Sequence, residues 1–177
     1  IAENETLFQL IGTTYGGDGR TRLAQEILLG VGGVRMLEAL GMAPDRYHLN
    51  EGHASFVVAE LLRRRTRRLA RRESLAAARA RVRAACVFTT HTPVPAGHDR
   101  FDAALVRRMV DPELRRALRA LGCAGELNMT HLAAAGAGFI NGVSMRHTEV
   151  SRRLLPGCEL HSVANGVHPG TWVSAPL

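Results

Sequence analysis

The stretch Tyr47–Thr90, YHLNEGHASFVVAELLRRRTRRLARRESLAAARARVRAACVFTT, holds two short β-favouring runs separated by a long helix-forming one. Tyr47-His48-Leu49 follows Pro44 and ends in the turn-forming Asn50-Glu51-Gly52-His53. Ala54–Arg72 reads as a helix whose apolar side is Phe56, Val57, Leu61 and Leu62, and a second helix runs from the Glu73-Ser74 junction to about Ala85. Cys86-Val87-Phe88-Thr89 is again β-favouring, and Thr90–Gly97 is a loop with two prolines. Strand, helical crossover and strand predict a parallel pair with a right-handed connection.

Working upstream, Leu23, Ile27, Val31, Val34 and Leu37 recur at helical spacing from Arg20 onward, and Gly41 after Leu40 suits a left-handed cap. Gly30, Gly32 and Gly33 weaken that helix, which close packing against a neighbouring backbone explains. Downstream, Asp102–Leu121 is helical with a new start at Pro112, and Asn128–Ala135 is a further helix. Phe139–Val143 reads as a short strand, Ser144 as the N-cap of Met145–Leu154, and Leu160–Ala164 as a last strand. This alternation implies an α/β architecture with a mostly parallel sheet. Ligands bind such sheets beyond the carboxyl ends of the strands, which here carry Asn50–His53, Thr90–Gly97, Asn141–Ser144 and Asn165–His168.

Composition excludes several chemistries. The chain has no lysine, so no Schiff base, P-loop lysine or Ser-Lys dyad can form. Cys86, Cys123 and Cys158 are widely spaced and odd in number, which suits small buried residues. Ten arginines and one acid, Glu73, fall in Arg63–Arg83, so this block alone outweighs the net +7 of the chain. Arginines spread around a helical segment without interleaved aromatics read as a solvated surface, not a nucleic-acid interface. No apolar run is long enough to span a bilayer and no signal-peptide pattern opens the chain, so a cytoplasmic protein with no membrane partner is expected. The glycines around Phe139 miss the dinucleotide fingerprint by one residue, and His91 and His98 on one loop are weak metal candidates.

Amide, imidazole and carboxylate groups gathered at strand ends suit sugar hydroxyls, which donate and accept hydrogen bonds. Here the motifs sharpen the reading. Tyr15-Gly-Gly-Asp-Gly, RLAQEILLGVGG (Arg22–Gly33), YHLNEGH (Tyr47–His53), FTTHTPVPAGHDRF (Phe88–Phe101), NMTHL (Asn128–Leu132), FINGVSMRHTEV (Phe139–Val150) and NGVHPGTW (Asn165–Trp172) resemble, in order, the α-glucan phosphorylase family in its compact bacterial form.

The resemblance implies a Rossmann-like parallel sheet with helices on both faces, part of the N-terminal half of a two-domain (GT-B type) glycosyltransferase. Residues 1–164 would form part of that domain and 165–177 the start of the crossing to an absent C-terminal cofactor domain. It implies reversible phosphorolysis of α-1,4-glucan to α-glucose 1-phosphate with retained configuration. The cofactor would be pyridoxal phosphate, whose attachment lysine this chain lacks. By position His91 matches a histidine whose main-chain carbonyl meets the glucosyl 6-hydroxyl, and Asn165 an asparagine bonding sugar hydroxyls. Val143 matches a pocket-lining residue, and Glu51 and His53 a polar cluster behind the sugar. Glu51 stands where animal-type members carry aspartate. Partners would be α-1,4-glucan and phosphate, without nucleic acid, and the resemblance admits a homo-oligomer. The piece alone is expected to be inactive, with cut ends and an exposed sheet edge. The rival readings are a nucleotide-sugar-dependent two-lobed glycosyltransferase and a non-catalytic arginine-rich binding module.

Overall fold

The computed structural model describes residue 12 and residues 17–68 and 74–172. The Tyr15-Gly16 part of the first motif, the stretch around Glu73, and the last five residues lie outside them. Asp18 caps the first helix, its carboxylate accepting from the Thr21 amide at 2.8 Å. The helix runs as α1 (Gly19–Ile27), widens into a π-helical turn (Leu28–Gly32) and continues as α2 (Gly33–Ala39). It ends as expected at Gly41, with φ of +71°. There the Met42 amide donates to Leu37 O and the Gly41 amide to Glu38 O, the paired bonds of a Schellman motif.

The expectation of close packing holds at one of the three glycines. A Cβ on Gly30 would lie 2.5 Å from Phe56 Cβ and 2.8 Å from the Val57 amide nitrogen. At Gly32 it would meet only its own helix's Leu28, and at Gly33 nothing.

Four strands form one parallel sheet in the order β1 (Tyr47–Asn50), β2 (Cys86–Thr90), β5 (Phe139–Gly142) and β6 (His161–Ser162). Helices α3 (Phe56–Arg68) and α4 (Leu75–Ala85) connect β1 to β2, and Ser74 caps α4. Between β2 and β5 lie α5 (Ala103–Met109), α6 (Pro112–Ala120) and α7 (Met129–Gly136), capped by Asp102, Asp111 and Asn128. A two-residue antiparallel pair, β3 (Arg100–Phe101) with β4 (Leu127–Asn128), brackets α5 and α6. α8 (Met145–Ser151) leads from β5 toward β6, and α9 (Pro169–Trp172) closes the described chain. The Ser144-capped helix stops at Ser151, three residues earlier than its pattern suggests, in turns before Pro156 and Gly157.

The core lies on one sheet face, where Leu49, Phe88 and Ile140 meet Phe56, Leu62, Leu114, Leu118, Met129 and Leu132. Cys86 sits there too, and burial pushes its thiol up to about 12, in keeping with a small apolar role. The opposite face carries His48, Thr89 and Asn141. His48 Nε2 lies 2.7 Å from Thr89 Oγ1, which donates to Asn141 Oδ1 at 2.9 Å. Thr89 and Asn141 are buried within this row. His48 is exposed, and Phe139, 37% exposed, stacks on His161 at 4.5 Å. The polar row satisfies itself across the strands, with only its His48 end exposed.

The arginine block is less solvated than expected. Glu60 is fully buried, and Arg63 grips it through Nε and Nη2 at 2.7 Å each. Arg64 reaches it at 2.9 Å and Arg35 at 3.3 Å. Burial alone would raise the Glu60 carboxyl, but the bonds from Arg63 and Arg64 outweigh it and hold the group below its ordinary range. Glu113 receives Arg63 and Arg67 on the outer side. Part of the basic segment is therefore internal cement between α2, α3 and α6.

Two glycine substitutions separate packing from propensity. Gly30→Ala must push the π-helical turn away from α3 and should cost about 1–3 kcal/mol. Gly33→Ala meets open space and should gain about 0.5–1 kcal/mol. Denaturant unfolding of the two variants reads both signs.

Candidate functional site

The sheet register levels three strand ends. Thr90 pairs with Gly142, and Gly142 with Ser162. The next residues, His91 and Val143, therefore leave the sheet side by side. Beyond the two paired residues of β6 the chain stays attached, since the Val163 amide donates to Gly142 O at 3.0 Å and the Asn165 amide to Val143 O at 3.2 Å. The expected strand Leu160–Ala164 is thus shorter by strand geometry but extended by these bonds. With strands about 4.8 Å apart, His91 and Asn165 sit on one rim, roughly 10 Å from each other along it.

Glu51 joins the same rim from β1. Its amide donates to Thr89 O at 2.9 Å, continuing the β1–β2 ladder by one residue, and its carboxylate accepts the His91 amide. Gly142 allows α8 to approach, because a Cβ there would meet His147 Nδ1 and Thr148 Oγ1 at 2.6 Å. Ser144 then caps α8, accepting from the His147 amide at 3.1 Å. Glu51 and Val143 are half-buried, whereas His91 and Asn165 are exposed. The rim is open. A cavity of about 640 Å³ lies at the other end of the strands, among Val34, Pro44, Tyr47, Arg64, Arg81 and Ala85.

His53 belongs to a different group. The polar cluster of Glu51 with His53 expected from the sequence divides: Glu51 turns to His91, and His53 turns to side chains from two other segments. His53 Nδ1 is 3.2 Å from Asp99 Oδ2 and 3.5 Å from Glu26 Oε1. Arg22 Nη2 lies 2.5 Å from Asp99 Oδ2, 3.3 Å from Glu26 Oε1 and 3.3 Å from His53 Nδ1. The reason is backbone direction. The short 3₁₀ turn Gly52–Ala54 begins right after Glu51, and Ser55 Oγ ties it to Met129 O at 2.7 Å. Glu26, His53 and Asp99 have the composition of a metal site, with one ligand atom each inside 4.8 Å. The Arg22 guanidinium stands where the ion would, so the charge is already balanced by a side chain.

Arg22, Glu26 and Asp99 carry no motif that singles them out in the sequence. Arg22 and Glu26 are four apart on one helix, a spacing that does signal a pair. Asp99 follows His98, which is itself buried with Nδ1 2.6 Å from Thr130 Oγ1. The His98 ring is thus turned to Thr130, while the His91 side chain is exposed.

This cluster ties stability to pH. Burial pushes the Glu26 carboxyl up to about 8, against an ordinary 4.5. The hydrogen bond to Asp99, and then that to Glu26, raise His53 to about 9 from 6.5. The same bond from His53 holds Asp99 well below the usual carboxylate range, against the opposing effect of burial. A raised histidine stabilises the fold fully below 6.5 and loses that contribution as pH climbs through about 9. A raised glutamate acts in the same direction, since the unfolded chain ionises above 4.5 while the folded one resists until about 8. The cluster's contribution therefore falls steadily from pH 5 to pH 9. Glu26→Gln, neutral throughout, should flatten the lower part of that fall, as read from unfolding midpoints across the range.

The comparisons with known proteins fall unevenly along the chain. A family model described as Phage Tail Collar Domain matches residues 1–24, a short stretch that contains none of the rim residues. Three curated relatives match nearly everything. Glycogen phosphorylase of Mycobacterium tuberculosis is 39% identical over 98% of the chain, and maltodextrin phosphorylase of Thermococcus litoralis 36% identical over 90%. Glycogen phosphorylase of Aquifex aeolicus is 30% identical over 92%. The chain spans only 23%, 20% and 26% of their respective lengths. Parallel sheet, motif order and near-complete coverage agree, and the chain belongs to the α-glucan (glycogen/maltodextrin) phosphorylase family, of which it is a segment.

Proposed function

We propose that the whole protein is an α-1,4-glucan phosphorylase, cleaving glucan with inorganic phosphate to α-glucose 1-phosphate and a shortened glucan. This segment supplies the loops that hold the glucosyl unit. The observation that carries the reading is the levelled rim, on which His91, Val143 and Asn165 leave adjacent strands within one sugar's reach. The His91 main-chain carbonyl accepts the 6-hydroxyl, the Asn165 amide bonds further hydroxyls, and Val143 lines the apolar side of the ring. Glu51 and His53 stand behind the sugar in two neighbouring polar groups. Neutral donors and acceptors suit a neutral sugar, because each hydroxyl both gives and takes a hydrogen bond. Their work is positioning.

The family's cofactor, pyridoxal phosphate, is held through a lysine, and this chain contains none. The residues present do not fit that attachment, so the cofactor belongs to another part of the protein. Phosphate and α-1,4-glucan are the partners. The arginines of α3 that bind Glu60 and Glu113 are engaged within the fold, which favours no nucleic-acid role for them. The proposed setting is the cytoplasm, with the full-length protein as a homo-oligomer; no helix among the described residues is long and apolar enough to cross a membrane.

The full-length gene product, given maltodextrin and inorganic phosphate, should release glucose 1-phosphate. Asn165→Ala should lower kcat/KM about three- to tenfold for each hydrogen bond lost. Transfer that requires a nucleotide sugar and ignores phosphate would remove the proposal in favour of a nucleotide-sugar glycosyltransferase.

A further inference from the structure

Glu51 is the one non-glycine residue at positive φ among the described residues, with φ of 66° and ψ of 178°. Backbone in that region is almost the preserve of glycine, because a Cβ crowds the neighbouring carbonyl. An L-residue persists there only when its surroundings over-determine it. Two bonds do so. The Glu51 amide donates to Thr89 O at 2.9 Å, and the Glu51 carboxylate accepts the amide of His91, two residues further along the same partner strand. The side chain thus closes a ring from β1 across to the end of β2. On the far side, Gly52 is packed so tightly that a Cβ would lie 3.1 Å from the Thr130 amide nitrogen, which prevents the turn from relaxing.

His91 is the first residue beyond the strand, and its own side chain is exposed. Past it, the loop carries Pro93 and Pro95, which lack amide protons and cannot anchor it to a ladder. The carboxylate of Glu51 therefore supplies a hold on the loop where the sheet stops doing so.

We infer that Glu51 is a positioning residue whose strained backbone and carboxylate clamp the His91 amide, fixing the direction of the His91 carbonyl toward the sugar. This rests on the sugar-rim reading above, and it assigns Glu51 an action through His91 in place of direct contact with a hydroxyl. What the clamp needs is an acceptor oxygen at that reach, not a negative charge.

The test uses the full-length protein with Glu51→Gly and Glu51→Gln. Glycine accepts the backbone conformation, so it removes the carboxylate without threatening the turn, while glutamine keeps an acceptor oxygen at the same length. Hydrogen exchange at the His91 amide should quicken at least tenfold in Glu51→Gly and by no more than about threefold in Glu51→Gln. KM for glucose 1-phosphate should follow the same order, rising about tenfold and about threefold, with kcat moving less. Equal damage in the two variants would show that the charge itself meets the ligand and would overturn the clamp. Unchanged exchange at His91 in Glu51→Gly would overturn it as well. If the wild-type protein fails to release glucose 1-phosphate, the phosphorylase reading falls while the exchange comparison still decides the clamp.

Discussion

The pairing of Thr90 with Gly142, and of Gly142 with Ser162, is the constraint on which the rest of the molecule depends. Parallel strands end level only if their registers agree, and a slip of one residue would turn every side chain to the other face. The core enforces the register here, because Leu49, Phe88 and Ile140 must share the apolar side. Once they do, Thr89 and Asn141 share the polar side and bond each other. The loops that follow then have no choice about where they begin.

Above that sheet the helices are fixed by two contacts of opposite character. The contact of the π-helical turn with α3 is a close backbone approach at Gly30, held by shape. The α2–α3–α6 contact is held by charge, with Glu60 and Glu113 gathered by arginines from α2 and α3. The pairs on buried Glu60 are costly to break once formed, since its charge would have nowhere to go. The arrangement explains how a segment dense in arginine can pack instead of repelling itself.

Much of this was legible in the sequence, and the parts that were not share a physical reason. The Ser144 cap, the new helix start at Pro112 and the Gly41 stop are local chemistry, written within four residues. Strands β1, β2 and β5 carry enough apolar residues to be seen. β3 and β4 are two residues each, too short for any periodicity to register. The arginine block looked solvated because it was counted from Arg63, leaving out Glu60 three residues earlier, whose spacing marks a pair. The positive φ of Glu51 left no trace at all, for only glycine or asparagine would have announced it. The division between Glu51 and His53 was hidden for a related reason. Residues two apart in a turn can face anywhere, and the partners of His53 come from 27, 31 and 46 positions away.

The wide turn at Leu28–Gly32 sets the angular phase of everything beyond it. In an uninterrupted α-helix Glu26 and Arg35, nine residues apart, would point about 180° from each other, at roughly 100° per residue. A π-helical turn absorbs one extra residue, which takes back about that single step and leaves the two only about 80° apart. Glu26 can then face His53 in the interior while the half-exposed Arg35 reaches Glu60. Losing one residue within that turn would thus do more than shorten a rod. It would rotate one end relative to the other, and one of the two ionic anchors would swing out into solvent.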